Sequence, residues 1–174
     1  MFALKLAGGL IVIAAATALG FLAAANYERR PRELAELISA LGLLETEIAY
    51  AATPLAEAFG SIASRSGQPA RGIVAEARRC LTSGEGRPAA EVWSSAVQKV
   101  WTATSLKAAD RDILLDFGAS LGASDREDQI KHICLARERL RRAEGEAIGE
   151  AGRLARLYKN LGFLGGVMVV IILL

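Results

Sequence analysis

No charged residue falls between Leu6 and Tyr27, and none falls between Leu161 and Leu174. The first stretch is mostly Leu, Ile, Val, Ala and Phe; the second is rich in Gly, Val, Ile and Leu. As a helix the first rises about 33 Å, enough to cross a hydrocarbon layer about 30 Å thick. In lipid, peptide groups have no water to bond, so a helix is the form such a stretch takes there. The second is shorter. Counted from Leu157 its helix rises about 26 Å, so Lys159 is expected to snorkel towards the headgroups, and a complete crossing stays open.

A cleaved secretory signal is the alternative for the first stretch, with Lys5 as its charged start and Ala23-Ala24-Ala25 as the cleavage site. The apolar run is longer than the about 7–15 residues of an ordinary signal. Glu28-Arg29-Arg30-Pro31-Arg32 follows at once, and basic residues there oppose export. A membrane helix is therefore the expectation.

The same charges set an orientation. Arg29, Arg30, Arg32, Arg153, Arg156 and Lys159 flank the apolar stretches on the inner side, against Lys5 alone on the other. Basic flanks stay cytoplasmic, so the middle of the chain is expected in the cytoplasm and both termini across the membrane. The layout then reads as a membrane helix at 1–27, a cytoplasmic helical bundle at 28–142, a juxtamembrane neck at 143–159 and a second membrane helix at 160–174.

The central stretch, Asn26 to Lys159, is large enough for one domain with a real core. It holds all 19 Asp and Glu residues and all but one of the 21 Lys and Arg. That balance, with bases interleaved among acids, makes no case for nucleic acid as a partner. Cys80 and Cys134 match no zinc or redox spacing and fall on or beside apolar helix faces, as small buried hydrophobes in a reducing compartment would.

Apolar residues recur at three- and four-residue spacing throughout, and nothing alternates with period two, so the fold class is all-α, a bundle of about six helices. Pro31 opens the first, with Leu34, Leu37, Ile38, Leu41, Leu44 and Ile48 behind it. Thr53-Pro54 caps a second carrying Leu55, Phe59 and Ile62. Gly67-Gln68-Pro69 separates it from a third with Ile73, Val74, Ala77 and Leu81. Gly84-Glu85-Gly86-Arg87-Pro88 is a turn; a phosphate loop needs a Gly-Lys-Ser/Thr ending that it lacks. Trp93, Val97, Val100 and Trp101 share a face of the fourth helix, core rather than a ligand cage, and Leu106, Ile113, Phe117 and Leu121 mark the fifth.

Ser124-Asp125-Arg126-Glu127 reads as a capping box opening the sixth helix, whose buried stripe is Ile130, Ile133, Cys134 and Leu140. Its acids suit the helix dipole, whereas a calcium loop would need spaced oxygens around a glycine. From Arg141 to Gly152 the stripe thins, and Gly145, Gly149 and Gly152 each cost about 1 kcal/mol of helix stability relative to Ala, which reads as a solvated, pliable neck.

One charge is out of place. On a helical wheel Glu45 lies about 20° from Leu34, inside the apolar face, while Glu47 falls on the wetter side with Leu43 and Tyr50. A carboxylate in an apolar seam has to be paired, protonated or met by a partner's cation. Either it pairs internally with an arginine, for which Arg126 is one candidate, or it is a docking contact for another subunit.

No catalytic set is present. His132 is the sole histidine, so Ser-His-Asp, Cys-His and two-histidine metal sites each lack a part, and a solvated place on its helix is expected. Glu45/Glu47 and Asp110/Asp112 are spaced by two and diverge around a helix. No enzyme activity, metal or cofactor is expected. In the apolar ends, Ala16, Gly20 and Ala24, and likewise Gly162 and Gly166, repeat every four residues, a spacing that lets helix backbones approach. Whether they meet each other or other subunits stays open.

Leu43-Leu44-Glu45-Thr46-Glu47-Ile48-Ala49-Tyr50, Thr53-Pro54-Leu55, Asp116-Phe117-Gly118 with Leu121-Gly122, and Ser124-Asp125-Arg126-Glu127-Asp128-Gln129 together resemble the stage III sporulation protein AB family, over essentially the whole chain. The resemblance implies a membrane component of the channel complex between mother cell and forespore in endospore-forming bacteria, seated in the mother-cell membrane that faces the forespore. It also implies a helical domain similar to the cytoplasmic domain of the platform protein of type II secretion and type IV pilus systems. The partners implied are a cytoplasmic secretion-type ATPase, the other proteins of the stage III complex and further copies of the chain. It brings no catalytic residues. Glu45, Asp125, Arg126 and Gln129 match family positions, for folding or for docking. The glycine-laden neck departs from the pattern and puts continuity of the sixth helix into the membrane in question.

Two function classes follow: a non-enzymatic platform that docks partners, and a membrane-tethered receptor that relays a signal. A receptor needs a sizeable region outside, and the expected layout leaves only a few residues there, which favours the platform. A secreted helical protein, cleaved near Ala25, is the third.

Overall fold

Proline ends one segment and begins the next three times in this chain. Pro54, Pro69 and Pro88 each stand just before a helix, where a missing N–H costs nothing. The computed structural model describes residues 28–51, 53–84, 86–122 and 125–173, with side chains as far as Arg153 and at Leu157. Six α-helices run through them: α1 Arg29–Thr46, α2 Leu55–Arg65, α3 Ala70–Thr82, α4 Ala89–Trp101, α5 Ala108–Gly118 and α6 Arg126–Leu173. A π-helical turn, Glu47–Ala51, extends α1. No strand occurs among the described residues, so the chain is all-α.

Residues Arg30–Gly145 form one compact unit. Its core takes Leu34, Leu41 and Leu44 from α1, Phe59 and Ile62 from α2, Val92 and Val97 from α4, and Ile133 and Leu140 from α6, all 2% exposed or less. Trp93 sits among them, its ring 5.8 Å from Phe59 and edge-on to Phe117 at 5.3 Å. Its indole N–H, which burial would otherwise leave unpaired, donates to the Leu114 carbonyl at 2.7 Å. Gly118 is required beside it: a Cβ there would lie 2.1 Å from the indole.

Several expectations are corrected. Pro54, not Thr53, caps α2; its carbonyl accepts the Glu57 and Ala58 N–H groups, and Thr53 turns its hydroxyl to Glu47. Trp101 and Val100 are half-buried, and Trp101 carries the Arg111 guanidinium 5.3 Å above its ring. Leu106 and Leu121 are buried but lie in the connections flanking α5. Cys134 is exposed and Cys80 half-buried. Cys134 lies about 100° around the helix from Ile133, off the edge of the stripe.

The neck is helical throughout, so the break that its glycines put in question does not occur among the described residues. α6 runs without a break from Arg126 to Leu173, through Gly145, Gly149 and Gly152. Three glycines among good helix formers lower helix stability without ending it, because propagation is cooperative. Nor is the stretch fully solvated, since Ala147 and Ala151 are buried.

Among the described residues no helix is long and apolar enough to cross a membrane. The stretch Leu6–Tyr27, with Ala16, Gly20 and Ala24, lies outside the described residues, as do Ser124 and the side chains of Arg156 and Lys159. Gly162 and Gly166 fall within the backbone of α6, and their surroundings lie outside the described residues too.

Candidate functional site

α1 and α6 do not close against each other along their length. Between them lies an open groove of about 780 Å³. Ala35, Ile38, Ser39, Gly42, Leu43, Thr46 and Ala49 form one wall, with Tyr50 at the end; Ile130, Arg137 and Glu144 form the other. The void within the core, lined by Leu37, Leu41, Trp93 and Leu114, holds only about 10 Å³, about one water.

Glu45 bridges the groove. Its carboxylate accepts from the Arg137 guanidinium, and both side chains remain about a quarter exposed. The internal pair foreseen for Glu45 therefore exists, but with Arg137 instead of Arg126. Gly42 lies directly beside the guanidinium: a Cβ there would meet it at 3.4 Å, ordinary van der Waals contact. Arg137 Nε is buried with no hydrogen-bond partner among the described residues. The Cys134 thiol donates to Glu45 at 3.5 Å. Although the residue as a whole is exposed, its sulfur is partly desolvated. That loss of water, and then the Glu45 charge, hold the thiol above its ordinary value of 9.0.

The end of the groove is built from the π turn and the start of α6. Glu47 is half-buried, not on a wet face, and accepts from the Thr53 and Ser61 hydroxyls at 3.2 Å each. Arg126 donates to the Ala49 carbonyl, one of those left unpaired where α1 ends. Asp125 caps α6, its carboxylate accepting the Asp128 N–H at 2.9 Å. Gln129 is half-buried and Glu127 exposed. Tyr50 is 86% exposed, far more than a large aromatic side chain usually is. The structure thus gathers Glu45, Arg126 and Asp125 at or near one end of one groove. His132 is exposed and lines a smaller surface recess between α5 and α6 with Leu135 and Arg139.

The bases beside the two apolar stretches divide. Arg29 and Arg32 are exposed, and exposed Arg153 donates to the Gly149 carbonyl of its own helix at 3.4 Å. Arg30 instead turns inward to a partner that sequence reasoning missed. Its guanidinium grips Asp110 through Nε at 2.9 Å and Nη2 at 3.0 Å, with the Asp110 side chain 1% exposed. Asp110 also accepts the Lys107 N–H at 2.8 Å, which starts α5. A signal for it was present, because Asp110 shares a helix face with Leu114 and Phe117.

No group of three or more potential metal ligands occurs among the described residues. Fold and groove together define a class: an all-α bundle with an open surface seam between α1 and α6. The sequence profile of the stage III sporulation protein AB family matches residues 5–174, and the chain belongs to that family. It is 36% identical over 171 residues to the stage III sporulation protein AB of Bacillus subtilis strain 168, covering 98% of this chain and 99% of that one. A solved structure of a stage III sporulation protein AB superposes with a TM-score of 0.67 at 36% identity, over 71% of this chain and 97% of the other. The family's name carries a stage of sporulation and no enzymatic activity.

Proposed function

We propose that this sporulation protein is a non-enzymatic scaffold, held to the mother-cell membrane by its two apolar ends, that docks other proteins of a secretion-like channel complex along the α1–α6 groove. The groove carries the reading: an open seam with apolar and small walls, a half-exposed ion pair across it and an exposed tyrosine at its end. Surfaces that combine an apolar interior with a few charges and an aromatic rim are what protein partners recognise. The charge-free runs Leu6–Tyr27 and Leu161–Leu174, with basic residues on their inner flanks, support membrane attachment with the helical domain in the cytoplasm. The same reading makes the domain one of the secretion-platform kind, with a cytoplasmic secretion-type ATPase, sister proteins of the complex or further copies of the chain as its partners.

Gly42→Leu tests the docking. It fills the seam beside Arg137 while leaving the core untouched, so sporulation should fall at least tenfold with the thermal midpoint of the domain shifted by only a few degrees. Full sporulation with the seam filled would remove the groove from the mechanism. Labelling of single cysteines introduced at exposed Gln68→Cys and at Phe2→Cys, with Cys80 and Cys134 replaced by serine, tests the attachment, and modification from the same side of the membrane would overturn it.

A further inference from the structure

The two walls of the groove share one period. Ala35, Ser39, Gly42 and Thr46 along α1, and Ala49 in the π turn that extends it, follow one another by four, three, four and three residues. Ile130, Arg137 and Glu144 are seven apart on α6, while Ile133 and Leu140 between them point into the core. The helices run antiparallel here, since Glu45 meets Arg137 and Ala49, further along α1, meets the earlier residue Arg126. Spacings of three and four that sum to seven place side chains along a line that a second helix follows, with its knobs entering the holes between them. Small residues make such holes.

From this we infer that the groove is a seat for a single α-helix supplied by a different protein, making a local three-helix seam. The inference rests on the docking reading and names the shape and chemistry of the partner. Ala35 to Tyr50 spans about 22 Å of helix, or roughly four turns. Ile38 and Leu43 line the same wall, and the small residues Ala35, Ser39, Gly42, Thr46 and Ala49 around them leave room for large apolar knobs, so the incoming helix carries Leu, Ile or Val at seven-residue repeats. Its charge is set by the groove. Glu45 is answered by Arg137, but Glu144, half-buried on the same wall, has no partner among the described residues. A Lys or Arg on the incoming helix, near the Ala35 end of the seam, meets it. A second copy of this chain fits poorly as the source. Within Arg30–Gly145 the apolar stripes face the chain's own core, and Tyr50 and Leu135 are the large apolar side chains left exposed among the described residues.

The test uses the full chain in membranes from sporulating cells, with benzoylphenylalanine at Ser39, at Thr46 or, as a control outside the groove, at exposed Gln98 of α4. Peptides captured at Ser39 and Thr46 should come from one helical segment of one other protein, about seven residues apart on an apolar heptad stripe. Glu144→Lys should reduce the yield at least fivefold, Glu144→Gln less, and reversing the matching cation of the captured segment should restore it. Circular dichroism of each variant separates lost docking from lost folding. Adducts on a segment with no three-four apolar repeat, or on a second copy of this chain, would overturn the inference while leaving the groove a docking site. Adducts at Gln98 alone, or at none of the three positions, would overturn both.

Discussion

α1 sends two charges to distant helices, and they do opposite things. Arg30, near its start, reaches α5 and grips Asp110 with both carboxylate oxygens engaged and almost no exposure. Glu45, near its end, reaches α6 and meets Arg137 in a groove where both partners are about a quarter exposed. The first pair is closed, with a third bond from the Lys107 N–H completing it. The second is unfinished: among the described residues one guanidinium nitrogen is unsatisfied and the Glu144 carboxylate on the same wall is unpaired, with open space alongside. Charge in an apolar face is therefore not one signal. Where every bond is made inside the chain it fixes the fold, and where some remain unmade it marks a surface that another molecule completes.

The largest effect should come from breaking the closed pair. Asp110→Ala strands a buried guanidinium, and denaturant titration of the domain should show a loss of about 3–5 kcal/mol. A loss below about 1 kcal/mol would place the two pairs on the same footing. The contrast sharpens if Arg30→Met combined with Asp110→Leu recovers most of that stability, as replacing both members of a buried pair by apolar groups often does.

Glu45→Gln should cost only about 1 kcal/mol, since water already reaches the pair. Its clearer readout is chemical. Removing the negative charge lowers the Cys134 thiol towards its ordinary range, so alkylation by iodoacetamide at pH 8 should quicken severalfold. An unchanged rate would mean that the carboxylate does not govern the thiol.

The smallest effect belongs to a pair on neither side of the contrast. Glu76, bonded by Arg79 and then by Lys99, is lowered from 4.5 to about 2. A carboxylate depressed on folding adds stability that is fully present above pH 4.5 and is lost as the pH falls towards 2. Glu76→Gln should flatten acid unfolding in that window and leave the groove's cross-linking unaltered. An acid transition of the same steepness would show that this exposed network adds nothing measurable.

The helices were legible because apolar spacing is a property of each segment alone. Leu34 to Leu44, Phe59 with Ile62, and Ile133 with Leu140 are buried as their periodicity requires. Glu45 stood out by the same logic. Its partner did not, because a wheel gives an angle around one helix and is silent on which helix comes to meet it. Arg126 was a reasonable candidate and lies near the groove's end, yet Arg137 holds the place. Arg30 was read from its neighbourhood, among bases beside an apolar run, and that neighbourhood hid its buried partner eighty residues away. The continuity of α6 was hidden for a related reason. Glycine costs add up residue by residue, whereas a long helix holds together as a whole.

The π turn at Glu47–Ala51 bears on where this chain can change length. A π turn holds one residue more than the α turn it replaces, so deleting one residue there would restore regular winding and re-aim the side chains and carbonyls of the turn itself. Tyr50 would leave the seam, and the Ala49 carbonyl would leave Arg126. The turn around Gly84 and Gly86, where added side chains would meet open space, faces no such constraint. Insertions and deletions among relatives should therefore gather near residue 85 and spare residues 47–51.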